Sequence, residues 1–366
     1  MAFKSSALEK MEMIAITANF WRNKRVLITG HTGFKGGWLT IWLNRLGAHV
    51  TGLSLAPHTQ PSLFESANIA ELCDSHIADI TQPEVCRNIV QSCQPDIVIH
   101  LAAQALVRSS YQDPLATYAT NVMGTANMLE AIRFQASTKV ALMITTDKVY
   151  ANQEWCWPYR ETDPLGGHDP YSASKAACEI VIQSYRDAFF AKAGIALASA
   201  RAGNVIGGGD WSKDRLIPDA IRAWQQSESL SIRHPDAIRP WQHVLEPLAG
   251  YLSLIELLWR EPHRAGAYNF GPDAADATSV RDVIVQAMRF CDGAKTEFAS
   301  SDTLGPHEAG ALRLDVSLAR SGLGVFPRWS LAQSLEATMA WYQQFAGAGD
   351  ARALCIANIN AFEASQ

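Results

Sequence analysis

Short apolar runs alternate with helix-spaced patterns over the first half of the chain. Arg25-Val26-Leu27-Ile28-Thr29 reads as a strand, and residues 38–43 (Trp-Leu-Thr-Ile-Trp-Leu) predict a helix after it. Residues 49–53 give the next strand, and Ile97-Val98-Ile99-His100 and residues 140–144 continue the series. Strands that alternate with helices, and that are apolar at nearly every position, predict a parallel sheet covered on both faces. The expected fold class is therefore α/β, a doubly wound parallel sheet of the Rossmann type. After about residue 200 the pattern breaks up. Gly207-Gly208-Gly209 marks a loop, and Pro218, Pro235, Pro240 and Pro247 interrupt regular structure. A smaller C-terminal α/β substrate lobe is expected there. Residues 267–271 read as a strand again, so the lobes interleave. The expected division is an arm over 1–20, a nucleotide-binding domain over 21–200 joined by later segments such as 244–271, and mainly substrate lobe over 201–366.

Composition narrows the class. A chain of 366 residues, 48% hydrophobic and 18% charged, can bury a core larger than one lobe needs. A formal net charge of −5 without a basic run argues against nucleic acid as a partner. The longest membrane candidate, Tyr251 to Trp259, is interrupted by Glu256, so no membrane span is expected. Lys4, Glu9, Lys10 and Glu12 do not make the charged start of a signal peptide. The seven cysteines are odd in number and scattered, with no Cys-x-x-Cys, which predicts reduced thiols and a cytoplasmic location. No histidine pair has ligand spacing with a third partner, so no metal is expected.

The chemistry-bearing residues sit where strands end. Gly30, Gly33 and Gly36 follow the first strand and open a helix, with Thr32, Phe34 and Lys35 between them. Glycines at this spacing let backbone N–H groups approach a pyrophosphate at a helix N-terminus, so a dinucleotide cofactor is expected. An acidic residue at the end of the second strand would hold the adenosine ribose. Ser54 stands there instead, with no arginine nearby, so these residues leave NAD and NADP both open. Asp79-Ile80 is a candidate for the adenine side. Tyr171 and Lys175 lie four apart and share a helix face. A fixed ammonium is expected to lower the phenol's pKa and make it a base. Thr146, at the end of an apolar run, would hold a substrate oxygen from the other side. Asp147-Lys148 follows it as an acid/base pair whose roles the sequence leaves open, the plainer alternative being a strand-end salt bridge.

Together with His100-Leu101-Ala102-Ala103, Asn121 and Arg201-Ala202-Gly203-Asn204-Val205, these motifs resemble the extended short-chain dehydrogenase/reductase superfamily, in its NAD-dependent epimerase/dehydratase family. The resemblance runs from about Trp21 to Tyr342. Residues 30–38, 201–211 and 239–247 resemble the branch acting on CDP-glucose. The resemblance implies NAD as cofactor, with Ala102, Ala103 and Gln104 beside it, Lys175 on its ribose, and Asn121 supporting the backbone near the site. It implies CDP-glucose as substrate and a role in making deoxysugars for surface polysaccharide. It also implies a sequence of steps: oxidation at C4, loss of water across C5 and C6, and return of hydride to C6. Better-known dehydratases of this kind carry Asp-Glu where Asp147-Lys148 stands here. Arg201, Asn204, Arg215 and Arg239 are candidates for the diphosphate and nucleotide, and Trp211, Trp241 and Tyr111 for the pocket border. The alternatives are a 4-epimerase, a dehydratase of another nucleotide sugar, and a non-catalytic NAD sensor. A homodimer or tetramer is implied through the helices near 121–134 and 171–190, with Leu129, Ile132, Ile180 and Tyr185 as contacts.

Overall fold

The computed structural model describes residues 16–273, 276–299 and 311–365. The expected arm therefore lies mostly outside the described residues; of it, a short helix spans Ala18–Trp21. The main sheet has seven parallel strands: β1 (Arg25–Thr29), β2 (His49–Ser54), β3 (Asp74–Ile77), β4 (Ile97–His100), β5 (Val140–Ile144), β6 (Ala196–Ala202) and β7 (Ala267–Phe270). Their order is β3-β2-β1-β4-β5-β6-β7. The chain reverses direction across the sheet between β1 and β4, and a crevice opens at their carboxyl ends.

Both faces are covered, which is why the central strands are apolar throughout. On one face α1 (Phe34–Arg45) buries Trp38 and Trp42, and α6 (Leu245–Arg260) buries nearly its whole length. On the other, α2 (Pro83–Cys93), α3 (Gly124–Arg133) and α4 (Pro170–Tyr185) pack Val90, Met128, Leu129, Ile132, Cys178 and Ile182 against Leu27, Val98 and Ala141. Leu129 and Ile132 are thus core residues, not the subunit contacts expected of them. Apolar side chains left exposed on or beside these helices include Leu115, Met123, Phe134 and Ile180.

The strand Ala267–Phe270 joins the sheet beside β6, and the rest of the chain beyond β6 packs as a second lobe. That lobe adds α5 (Leu216–Gln225), α7 (Leu331–Ala346) and three two-stranded ribbons. One ribbon pairs Ser229–Ile232 with Lys295–Phe298, and another pairs Ile238–Arg239 with Thr278–Ser279. Side-chain hydrogen bonds hold the loop of Gly207, Gly208 and Gly209 in place. Trp38 Nε1 donates to Gly208 O at 3.0 Å, and the Tyr342 hydroxyl donates to Asp210 O at 2.5 Å.

Candidate active site

A cavity of about 1310 Å³ lies beyond the carboxyl ends of the strands, between sheet and second lobe. Its floor at β1 is the glycine loop. Gly30 has φ +82°, and a Cβ there would lie 2.8 Å from Ala102 N; at Gly36 it would lie 2.0 Å from Gly30 O. Only glycine permits this packing, and it brings the first turn of α1 (Phe34, Lys35, Gly36) onto the cavity wall. Gly33 caps α1 without a side-chain acceptor, which leaves the helix N–H groups to a ligand. Thr32, Ser54, Asp79 and Ile80 line one rim, and Ala102, Ala103 and Gln104 the facing wall. Asp79 Oδ1 accepts from Thr81 N at 2.8 Å. These residues fit a dinucleotide laid across the switch point. Asn121 is fully buried and does not line the cavity. Its amide clamps Gln104 from both sides, accepting from Gln104 N at 2.8 Å and donating to Gln104 O at 3.0 Å, and it also donates to Ser174 Oγ at 2.8 Å.

The reactive groups meet above this floor. Asp169 caps α4, accepting from Ser172 N at 2.9 Å, and Pro170 starts its first turn. Tyr171 and Lys175 follow on one face, and both line the cavity. Lys175 Nζ donates to Ile144 O at 3.1 Å. Thr146 caps a short turn over Asp147–Val149, and its Oγ1 donates to Asp147 Oδ1 at 2.9 Å. Asp147 is 1% exposed, yet its Oδ2 has no hydrogen-bond partner. A Cβ on Gly203 would lie 3.0 Å from that oxygen, so glycine leaves it room. Lys148 is half-buried and lines the same cavity. No ion pair joins it to Asp147 among the described residues, so the salt-bridge alternative is not realised.

The electrostatics depart from the expectation for Tyr171. Burial pushes its phenol up to about 12, and Asp147 adds to the rise. A hydrogen bond with Thr146 and the charge of Arg215 pull it down by less. Lys175 is not among the leading contributions to it, and burial lowers the pKa of Lys175 itself. The expected net lowering of the phenol is therefore not seen: desolvation dominates. Lys35 is lowered to about 8, by burial first and then by Arg215 and Lys175, against an opposing pull from Asp147. Its ammonium thus senses Asp147, a placement the glycine spacing alone does not reveal.

The second lobe sorts the expected substrate residues. Asn204, Arg215, Arg239 and Trp241 line the cavity. Arg215 Nη1 pairs with Asp210 Oδ2 at 3.1 Å, and Trp241 Nε1 donates to Thr278 O at 3.2 Å. Arg201 does not line it. Its Nη2 pairs with Glu179 Oε2 at 2.8 Å, and its Nη1 donates to Tyr150 Oη at 2.9 Å and Glu161 O at 3.0 Å. Glu179 also accepts from Thr145 Oγ1 at 2.5 Å and Ser199 Oγ at 2.8 Å. The guanidinium is committed beneath the site and cannot reach a diphosphate. Trp211 packs edge-on against Tyr342, and neither Trp211 nor Tyr111 lines the cavity. The sequence reading missed Arg108, Asp214 and Arg233, which meet at the cavity mouth. Arg108 Nη1 lies 3.0 Å and Arg233 Nη2 3.9 Å from Asp214 Oδ1. They come from three separate segments, so only tertiary structure gathers them. Among the described residues no group of three His, Cys, Asp or Glu could hold a metal, and no helix is long and apolar enough to cross a membrane.

Comparison with known proteins agrees with this architecture. CDP-glucose 4,6-dehydratase of Salmonella typhimurium is 47% identical over 334 residues, covering 90% of this chain and 93% of that protein. The dTDP-glucose 4,6-dehydratase of Bacillus anthracis in complex with NAD shares the fold. It has a TM-score of 0.72 and 18% identity, over 89% of this chain and 99% of that one. The UDP-glucose 4-epimerase of Stenotrophomonas maltophila with bound NAD also matches, at TM-score 0.75 and 22% identity, over 89% and 100% of the two chains. The profile of the GDP-mannose 4,6 dehydratase family matches residues 27–336. The chain belongs to that family.

Proposed function

We propose that this chain converts CDP-glucose to CDP-4-keto-6-deoxyglucose and water, with NAD as a recycled cofactor. One observation carries the dehydratase reading: a buried carboxylate oxygen without a partner, Asp147 Oδ2, stands in the cavity wall within electrostatic range of Tyr171. The relative at 47% identity supplies the substrate class. Bound NAD accepts hydride from C4 at the start and returns it to C6 at the end. Tyr171 takes the proton of the 4-hydroxyl, and Thr146, lining the same cavity, orients that oxygen. The resulting 4-ketone acidifies the C5 hydrogen. Lys148 lines the cavity one residue past Asp147 and removes the C5 proton while Asp147 delivers a proton to the departing 6-hydroxyl; after exchange with solvent, Lys148 returns a proton to C5 as hydride reaches C6. Lys175 holds the nicotinamide ribose, and Arg215 and Arg239 take the diphosphate. A 4-epimerase would have no use for Asp147 and Lys148, which is why dehydration is preferred.

The exposed apolar side chains Leu115 (81% exposed), Met123 (55%) and Ile180 (61%) support a homodimer through the α3–α4 face. Reduced cysteines support a cytoplasmic location. The test of the function is to incubate the purified chain separately with CDP-glucose, GDP-mannose and dTDP-glucose. A 4-keto-6-deoxy product from CDP-glucose alone is expected; a C4 epimer from any of them would overturn the reading.

A further inference from the structure

The rim at the end of β2 differs from an ordinary NAD site in its charge. A carboxylate there accepts from the ribose hydroxyls and repels a 2′-phosphate, whereas an arginine welcomes that phosphate. This chain has neither. The rim is formed by Thr32, Ser54, Leu55, Ala56 and His58, and then by Ala78 and Asp79 one strand over. Thr32 and Ser54 are both buried, and their hydroxyl oxygens lie 2.7 Å apart. The single hydroxyl proton of Thr32 goes to Leu55 O at 2.8 Å. The Ser54 proton must then point at Thr32, which leaves the Ser54 oxygen able to accept from a ligand in the cavity it lines. Asp79, the nearest acid, has one oxygen held by Thr81 N at 2.8 Å.

We propose that Ser54 is the residue that reads the adenosine ribose, and that it reads it as a neutral acceptor, so the chain discriminates only weakly between NAD and NADP. This rests on the reading that a nicotinamide dinucleotide occupies the trough. A ribose 2′-hydroxyl donates to Ser54; a 2′-phosphate has no proton for it and loses one neutral hydrogen bond. That loss corresponds to a ratio of about tenfold or less. No charge repels the phosphate at this position. An aspartate at position 54 would add that repulsion, and an arginine would reverse it.

The test is a titration of the full chain with NADH and NADPH, followed by energy transfer from tryptophan, which reads binding without turnover. The wild-type Kd ratio is expected to be about tenfold or less in favour of NADH. Ser54→Asp is expected to raise the ratio by at least another tenfold, chiefly by weakening NADPH, and Ser54→Arg to bring it to one or below. A wild-type ratio above about a hundredfold would overturn the proposal. So would Ser54 variants that leave the ratio unchanged, or a ratio that responds to Asp79→Asn instead. Binding of neither dinucleotide would overturn the cofactor reading itself, a result distinct from each of these.

Discussion

Thr146 Oγ1 donates a 2.9 Å hydrogen bond to Asp147 Oδ1, while Asp147 Oδ2 is buried with no partner. One oxygen fixes the carboxyl group and the other is left for the substrate. Asp147→Asn keeps the acceptor for Thr146 and removes the ionisable acid. It is expected to slow release of the 4-keto-6-deoxy product by about 10²–10⁴-fold. Reduced cofactor should still form on mixing with CDP-glucose, because oxidation at C4 does not use Asp147. Stopped-flow absorbance of NADH beside product analysis checks both halves.

Tyr171 gives a pH dependence with a definite sign. Its phenol is pushed up to about 12 by burial, so at neutral pH only a small fraction is ionised. The base form gains tenfold per pH unit below that value, so C4 oxidation should accelerate as pH rises from 6 to 9. Tyr171→Phe should lose the oxidation step by about 10²–10⁴-fold and abolish the slope. Single-turnover NADH formation across that range is the measurement.

Arg201 and Glu179 are buried partners, with side chains 4% and 3% exposed. Replacing one leaves the other charge stranded in the core. Glu179→Gln or Arg201→Met is expected to cost about 3–5 kcal/mol of stability, and the double replacement less than the sum. Urea unfolding of the three variants checks this. Had Arg201 served the diphosphate, its loss would weaken CDP binding and spare stability.

Glu246 makes stability itself depend on pH. Burial raises its carboxyl from 4.5 to about 7, although it accepts from Arg328 N at 2.9 Å and Trp329 N at 2.7 Å. A raised carboxyl pKa means the protonated form is the one the fold favours. Its contribution is full below pH 4.5 and is lost as pH rises through about 7, an effect of about 3 kcal/mol. Glu246→Gln keeps the acceptor and removes the titration. Relative to wild type it should gain stability between pH 5 and pH 8, read from urea midpoints at the two values.

What the sequence made legible follows from where each signal was local. β1, β4 and β5 are buried on both faces, so their apolar runs stood out. β3 is a polar edge strand, Asp74–Ile77, and β6 is rich in alanine, so neither carries a strand-like pattern; the sheet imposes their conformation. That Gly30, Thr146, Tyr171 and Lys175 line one cavity was legible because each belongs to a short motif beside a strand end or helix start. Arg201 was misread because its partner Glu179 lies 22 residues away on α4. The raised pKa of Tyr171 was hidden for a similar reason: spacing shows that Lys175 shares its face but not that burial outweighs it. Arg108, Asp214 and Arg233 had no shared local signal at all.

The central claim is that one chain oxidises C4, expels the 6-hydroxyl and returns the same hydride to C6. CDP-glucose carrying deuterium at C4 tests it most directly, with the purified protein, NAD and ordinary water, and the product examined by NMR. The account predicts CDP-4-keto-6-deoxyglucose with the deuterium at C6 and a solvent hydrogen at C5. Recovery of the label at C4, in unchanged sugar or its C4 epimer, would contradict it.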